Sequence, residues 1–207
     1  MQVLGEEFAK RLLKTDKGSA FDALAYFFRE ILRNVIEHSY SDTLYYSAQA
    51  YKNNKVLLVI ADEGEGMLES LNNNPNLNIQ NDKDAVEHAV MPGMSGRAHK
   101  YSGSRSKNNI YKNTGYGLFL TKEICSANGD FTLISNSAGI FAKEKRKSNI
   151  RNSPLQGTIL RLVIRLDEVG DINSRLKSII EKVRIDLKNK GKPFNEPSGA
   201  SANVKLD

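Results

Sequence analysis

From Ser19 to His38 the apolar residues Phe21, Leu24, Ala25, Phe28, Ile31, Leu32, Val35 and Ile36 fall three or four apart. That is the period of a helix with one buried face. Val3, Leu4, Phe8, Leu12 and Leu13 repeat the pattern more briefly, so residues 1–18 are predicted to hold a short helix of their own. Leu44 to Tyr51 and the run VLLVIA at 56–61 predict two strands joined by a turn at Lys52-Asn53-Asn54-Lys55, the second apolar enough to be central in a sheet. A long polar region follows, with a helix predicted near Lys83–Met91 and stopped by Pro92-Gly93. Residues 92–113 form a Gly/Ser/Asn-rich loop, and a loop of that length in a compact domain is usually functional. The spacing then predicts a helix over 116–127 closed by Asn128-Gly129, strands at 131–136 and 157–166 around a basic loop at 143–151, and a helix over 171–188 capped by Asp171. The Gly/Pro/Ser/Asn-rich stretch 191–207 has the composition of a disordered tail. Strands and helices do not alternate as in a doubly wound fold. The order predicts an α+β sandwich over residues 19–166, one sheet with helices on one face, followed by a helical appendage at 167–190.

Composition narrows the class without naming a function. The 207 residues carry a net charge of +6, and no apolar run approaches the length of a membrane span. The first residues contain acids and lack an uninterrupted apolar centre, so no secretory signal is read there and the cytoplasm is the expected compartment. The single cysteine, Cys125, excludes an intrachain disulfide framework and fits a small buried hydrophobe. The excess positive charge is concentrated in two places. Gly93 to Lys112 contains Arg97, Lys100, Arg105, Lys107 and Lys112 without one acid, and KEKRKSNIR at 143–151 holds much of the remainder. Such cations can be solvated, or can meet the phosphates of a small ligand or of a polymer.

Four short stretches make chemical sense together if the ligand is a nucleotide. Glu30, Asn34 and His38 step by four along the polar side of the second helix. An amide oxygen suits Mg²⁺, which takes few protein ligands, and a carboxylate one turn away can polarise a water. Asp62 ends the central strand before Gly64 and Gly66; its ionised carboxylate, acceptor-only, suits the amine of adenine. Gly115 and Gly117 in NTGYGL stand where a helix begins, and backbone N–H groups at such a start favour anions. Gly157-Thr158 opens the last strand, where a threonine can reach Asp62 or a base. Alone, each has a plainer reading: a solvated helix face, a polar turn, a loop ending at a helix, a strand start. No P-loop, dinucleotide fingerprint, nucleophile elbow or His-rich metal spacing is present.

Taken in order, REILRNVIEHS at 29–39, ADEGEGM at 61–67, NTGYGLFLTKEI at 113–124 and GTILRLVI at 157–164 resemble the ATP-binding domain shared by gyrase, the ninety-kilodalton heat-shock chaperone, histidine kinases and MutL. The resemblance implies a Bergerat-type two-layer α/β sandwich with a mixed, mainly antiparallel sheet and a nucleotide between sheet and lid. It implies that Asn34 binds Mg²⁺, Asp62 reads adenine, Gly64 and Gly66 border the base, Gly115 and Gly117 receive the phosphates, and Thr158 supports the adenine site. His38, Met67, Tyr116 and Leu118, within the same motifs, complete the implied nucleotide contacts, and Arg97, Lys100, Arg105 and Lys107 are the lid candidates. Glu30 precedes Asn34 by four, as in members whose glutamate activates water or a substrate hydroxyl. His38 follows Asn34 by four, similar to the bacterial anti-sigma serine kinases. Glu37 stands where many histidine kinases carry a basic residue, and Asn113 where a kinase often has Gly. EHAVMPGMSG at 87–96 adds likeness to free-standing bacterial proteins of this superfamily, which are associated with a separate partner protein.

The activity expected from these residues is regulatory. Of His38, His88 and His99, none has the setting of a phosphoacceptor histidine, and no transducer domain follows Leu166. The reading is therefore a stand-alone Mg²⁺-ATP-binding regulator acting on a partner in trans, by ATP hydrolysis or Ser/Thr phosphorylation with Glu30 as base. Its rival is a nucleotide-gated binding switch with little turnover. Nucleic acid ranks last, because no aromatic stacking platform accompanies the charge. The apolar stripes at 3–13 and 171–188 fit either intramolecular packing or a homodimer.

Overall fold

The computed structural model of the chain describes residues 1–96, 114–144, 146–151 and 153–205. The described elements are α1 (Gln2–Leu13), α2 (Ser19–His38), β1 (Leu44–Ala50), β2 (Lys55–Asp62), α3 (Gly66–Asn72), α4 (Asp82–Ala89), α5 (Gly117–Asn128), β3 (Asp130–Ser135), β4 (Ala138–Lys143), β5 (Arg146–Arg151), β6 (Thr158–Arg165), α6 (Leu166–Val169), α7 (Ile172–Asn189) and α8 (Gly199–Ala202). The strands form one sheet in the order β1-β2-β6-β3-β4-β5, and all five pairings are antiparallel.

The α+β sandwich expected from the sequence is the fold. Alternate residues of β2, Val56, Leu58, Ile60 and Asp62, are buried, which sets one face of the central strand toward the helices. α2 and α5 lie side by side in the covering layer, and α4 packs on β3 and β4. α2 is buried from Phe21 through Arg33 except Asp22, because more than the sheet covers it. α1 lies along another side, where Phe8 stacks on Phe28 with ring centroids 3.9 Å apart. Gly5 makes the approach possible: a Cβ there would stand 2.6 Å from the Ala25 carbonyl oxygen. Each large side chain so buried contributes about 1.5–3 kcal/mol.

Two local expectations change. Residues 143–151, expected as a loop from their charge, supply the end of β4 and all of β5. An edge strand needs a backbone partner on one side only, and Lys and Arg on it discourage pairing with other chains, so charge does not exclude a strand there. α5 ends at Asn128 with Gly129 as its C-cap, as expected, but with a φ of −166° that glycine is not held there by a left-handed turn. It is required for another reason, since a Cβ would stand 2.0 Å from the Val163 carbonyl oxygen. Finally, the segment after Lys190, expected to be disordered, is placed through residue 205: Ala200, Ser201 and Val204 are buried, and α8 is capped by the Ser198 hydroxyl accepting from the Ser201 N–H. Small side chains, read as a sign of disorder, here allow the backbone to lie close against α2. Among the described residues no helix is long and apolar enough to cross a membrane.

Candidate functional site

A cleft of about 780 Å³, its open mouth included, lies between the sheet and the helical layer. Its floor is Leu133 and Leu160 on adjacent strands, and its walls come from α2, α3 and the start of α5. Of the residues singled out in the sequence, Asn34, His38, Asp62, Gly66, Met67, Gly115, Gly117, Leu118 and Thr158 line it. Four distant stretches thus meet in one concave space.

Strand register explains the polar end. Asp62 ends β2 directly opposite Thr158, the first residue of β6. The Asp62 carboxylate is buried, and its Oδ1 accepts the Gly64 N–H at 3.0 Å. Burial pushes its pKa above the ordinary carboxylate value, while hydrogen bonds from the Gly64 and Thr158 backbones pull it partly back. The turn after Asp62 has two positions that only glycine fits. A Cβ on Gly64 would lie 1.9 Å from the Ser39 carbonyl oxygen, and Gly66 combines a φ of +80° with side-chain atoms of Ser135 and Asn136 against it. Gly64 therefore backs onto the end of α2 and is not among the cleft residues.

Ser135 and Asn136 carried no signal as site residues, yet they clip the loops together. The Ser135 hydroxyl accepts the Met67 N–H at 2.7 Å. The Asn136 amide donates to the Glu65 carbonyl at 3.2 Å and accepts the Gly157 N–H at 3.0 Å. The available clue was Asn-Ser between two apolar runs, which reads as a turn and says nothing of what the turn touches.

The other end of the cleft is built from the two sides of the loop 92–113. Gly93 N–H donates to the Gly115 carbonyl at 3.2 Å, so the loop starts and finishes at one place. Gly115 has a φ of +74° and would carry a Cβ 2.4 Å from the Met94 carbonyl oxygen. Ser95 and Gly96 also line the cleft, with the Asn74 amide donating to the Ser95 carbonyl at 3.1 Å. Among the described residues no side chain caps the first turn of α5, which leaves the positive end of its macrodipole toward the cleft residues Gly117 and Leu118. Tyr116 turns elsewhere: it is buried edge-on between Phe119 and Phe194, with its hydroxyl pKa pushed up to about 12 by burial. The lid candidates Arg97, Lys100, Arg105 and Lys107 lie outside the described residues.

Glu30 does not reach the cleft. Its carboxylate, fully buried, accepts from Arg33 Nη2 at 2.9 Å and from the Ser201 hydroxyl at 3.0 Å, and Arg29 Nε stands 3.4 Å away. A helix turns about 100° per residue, so each step of four drifts about 40° and Glu30 faces about 80° away from His38. The polar line thus slants out of the site. Glu30 still borders it from beneath, because a Cβ on Gly117 would lie 2.5 Å from Glu30 Oε2.

The residues present fit a nucleotide with a divalent cation. The Asn34 amide nitrogen is buried without a hydrogen-bond partner, and since amide oxygen and nitrogen exchange places by a flip, this position can present an oxygen. Among the described residues no cluster of three or more His, Cys, Asp or Glu could hold a metal alone. A cation here would depend on oxygens brought by the ligand, the habit of Mg²⁺ with phosphates.

No curated protein matches the chain. The family described as histidine kinase-, DNA gyrase B-, and HSP90-like ATPase matches residues 20–168, which span α2 through β6 and every element that lines the cleft. The sheet order, the cleft and that match agree, and the chain belongs to this ATPase family, with an ATP-binding domain between α2 and β6.

Proposed function

We propose that the chain is a Mg²⁺-ATP-binding regulatory protein acting on a separate partner protein in trans, by ATP hydrolysis or by phosphorylation of a serine or threonine of that partner. The observation that carries this reading is the convergence of Asn34, His38, Asp62, Gly66, Gly115, Gly117 and Thr158 on one cleft. In it, Asp62 accepts the adenine amine, Thr158 supports the same edge, the start of α5 takes the phosphates, and Asn34 offers its amide oxygen to Mg²⁺. The bound cation would shield phosphate charge. His38 in the cleft supports kinship with the anti-sigma serine kinases, and the cations Arg97, Lys100, Arg105 and Lys107 are the candidates for closing over the phosphates.

A second reading, a nucleotide-gated switch with little turnover, draws on Glu30. A general base must come within hydrogen-bond reach of the proton it takes. Glu30 is occupied by Arg33, Arg29 and Ser201 outside the cleft, so turnover requires its release. A Mg²⁺-ATP titration by calorimetry, with phosphate release followed on the same sample, tests both. Binding with turnover that Glu30→Gln abolishes supports the catalytic reading. Binding with no turnover, with or without partner, leaves the switch. Failure to bind ATP at all would sink both.

A further inference from the structure

The segment 198–204 lies over the middle of α2, from Tyr26 to Arg33, and is held there largely through its backbone. Arg29 donates from Nη1 to the Val204 carbonyl at 2.6 Å, and from Nη2 to the Asn203 carbonyl at 2.7 Å and to the Ala200 carbonyl. The Tyr26 hydroxyl donates to the Ser201 carbonyl at 2.9 Å. The side chains that enter are small: Ala200 and Ser201 are fully buried, and Gly199 precedes them. One functional group reaches the carboxylate. The Ser201 hydroxyl donates to Glu30 Oε2 at 3.0 Å and accepts from Arg33 Nη2 at 2.8 Å.

This is the arrangement of a general base with an alcohol in front of it. It is also adjacent to the glycine turn, since a Cβ on Gly117 would stand 2.5 Å from Glu30 Oε2. The segment is tied to that turn directly: Ser198 N–H donates to Thr114 Oγ1 at 2.9 Å, and Phe194 packs edge-on against Tyr116. A second observation separates the groove from an ordinary core. Arg33, buried to within 3% of full cover, has Nε and Nη1 without a hydrogen-bond partner. Buried donors are rarely left so, and a guanidinium with unused N–H groups beside a glycine turn suits a ligand that brings oxygens.

We infer that the groove floored by Arg29, Glu30 and Arg33 is a docking site for a serine-bearing segment of a partner protein, small-residue in sequence, and that residues 198–204 occupy it in cis with Ser201 in the place of the partner's hydroxyl. The inference rests on the proposed action in trans and names the chemistry of what that action meets. Because Arg29 and Tyr26 take the segment's carbonyls and not its side chains, another segment fits if it is equally small and places one hydroxyl on Glu30. While the cis segment is bound, Glu30 is withheld from any other hydroxyl or water.

The test uses the full chain and two variants altered on the segment alone, Ala200→Arg and Val204→Asp, each of which puts a charged side chain where a buried small or apolar one stands. Hydrogen exchange should rise at 198–204 while β2 and β6 stay protected. A labelled synthetic peptide of residues 196–205, measured by fluorescence anisotropy without nucleotide, should bind both variants at least about tenfold more tightly than the unaltered chain. The same peptide with alanine in place of its second serine should lose at least about tenfold of that affinity. Equal peptide affinity for the variants and the unaltered chain, or no loss on removing the hydroxyl, overturns the inference. Loss of protection in β2 and β6 in both variants also overturns it, by making the segment part of the core. ATP binding of the unaltered chain, measured in parallel, decides the nucleotide reading separately.

Discussion

Replacing Asp62 by asparagine separates two roles that one carboxylate combines. Asp62 is buried, its carboxylate accepts N–H groups from Gly64 and Thr158, and the residue lines the cleft. Asparagine keeps one oxygen for those backbone donors and presents an NH₂ in place of the other. Toward an adenine amine this sets donor against donor. A hydrogen bond to a charged acceptor contributes about 1.5–3 kcal/mol, so Asp62→Asn should weaken ATP binding by roughly 10- to 150-fold. The apo protein should respond in the opposite sense, because the burial that raises the Asp62 pKa is a cost on the charged form that the amide does not bear. Calorimetric titration with a non-hydrolysable ATP analogue, beside thermal unfolding of the apo protein, reads both. An affinity within twofold of the unaltered chain, with the apo melting temperature unchanged or higher, would refute the adenine assignment; a fall in both would mark Asp62 as structural.

The same carboxylate sets a pH dependence. Its folded pKa lies above the ordinary 3.8, so protonated Asp62 favours folding; that contribution is complete below 3.8 and is lost as pH rises through the raised value. Urea midpoints of the unaltered chain, taken relative to Asp62→Asn over roughly pH 3 to 7, should therefore fall across that window, and a flat difference would contradict the burial argument. Gly115→Ala should destabilise more than Gly191→Ala: both need positive φ, which costs about 1–2 kcal/mol, but only at Gly115 does the new Cβ also strike the Met94 backbone, adding about 1–3 kcal/mol. Equal losses by chemical denaturation would show that the contact relaxes. Cys125 is buried and its thiol pKa is pushed far up by burial, so thiol reagents should label it only at the rate of unfolding. Rapid labelling of the native chain would place it elsewhere.

Local periodicity determined much of this protein. The apolar spacing from Phe21 to Ile36 gives α2 its limits, Ser19 and His38, because helix repeat and one-sided burial are properties of neighbouring residues. The same holds for β2 and for α7 with its Asp171 cap, whose carboxylate accepts the Ser174 N–H at 3.0 Å. The glycine turns and Asp62 were legible as well, since positive φ and close approach restrict the residue type. What tertiary structure decided involves partners far apart in the chain. Register alone sets Asp62 opposite Thr158. β4 and β5 exist because β3 offers an edge to pair with, which outweighs the charge of 143–151. Arg33, next to Asn34, drew no notice in the sequence, yet it is buried beside Glu30 at the glycine turn. Most of all, Ser201 meets Glu30 across 171 residues. Nothing in a small, polar sequence announces such a contact, because its stability comes from arginine and tyrosine donors on another helix that only folding brings within reach of its carbonyls.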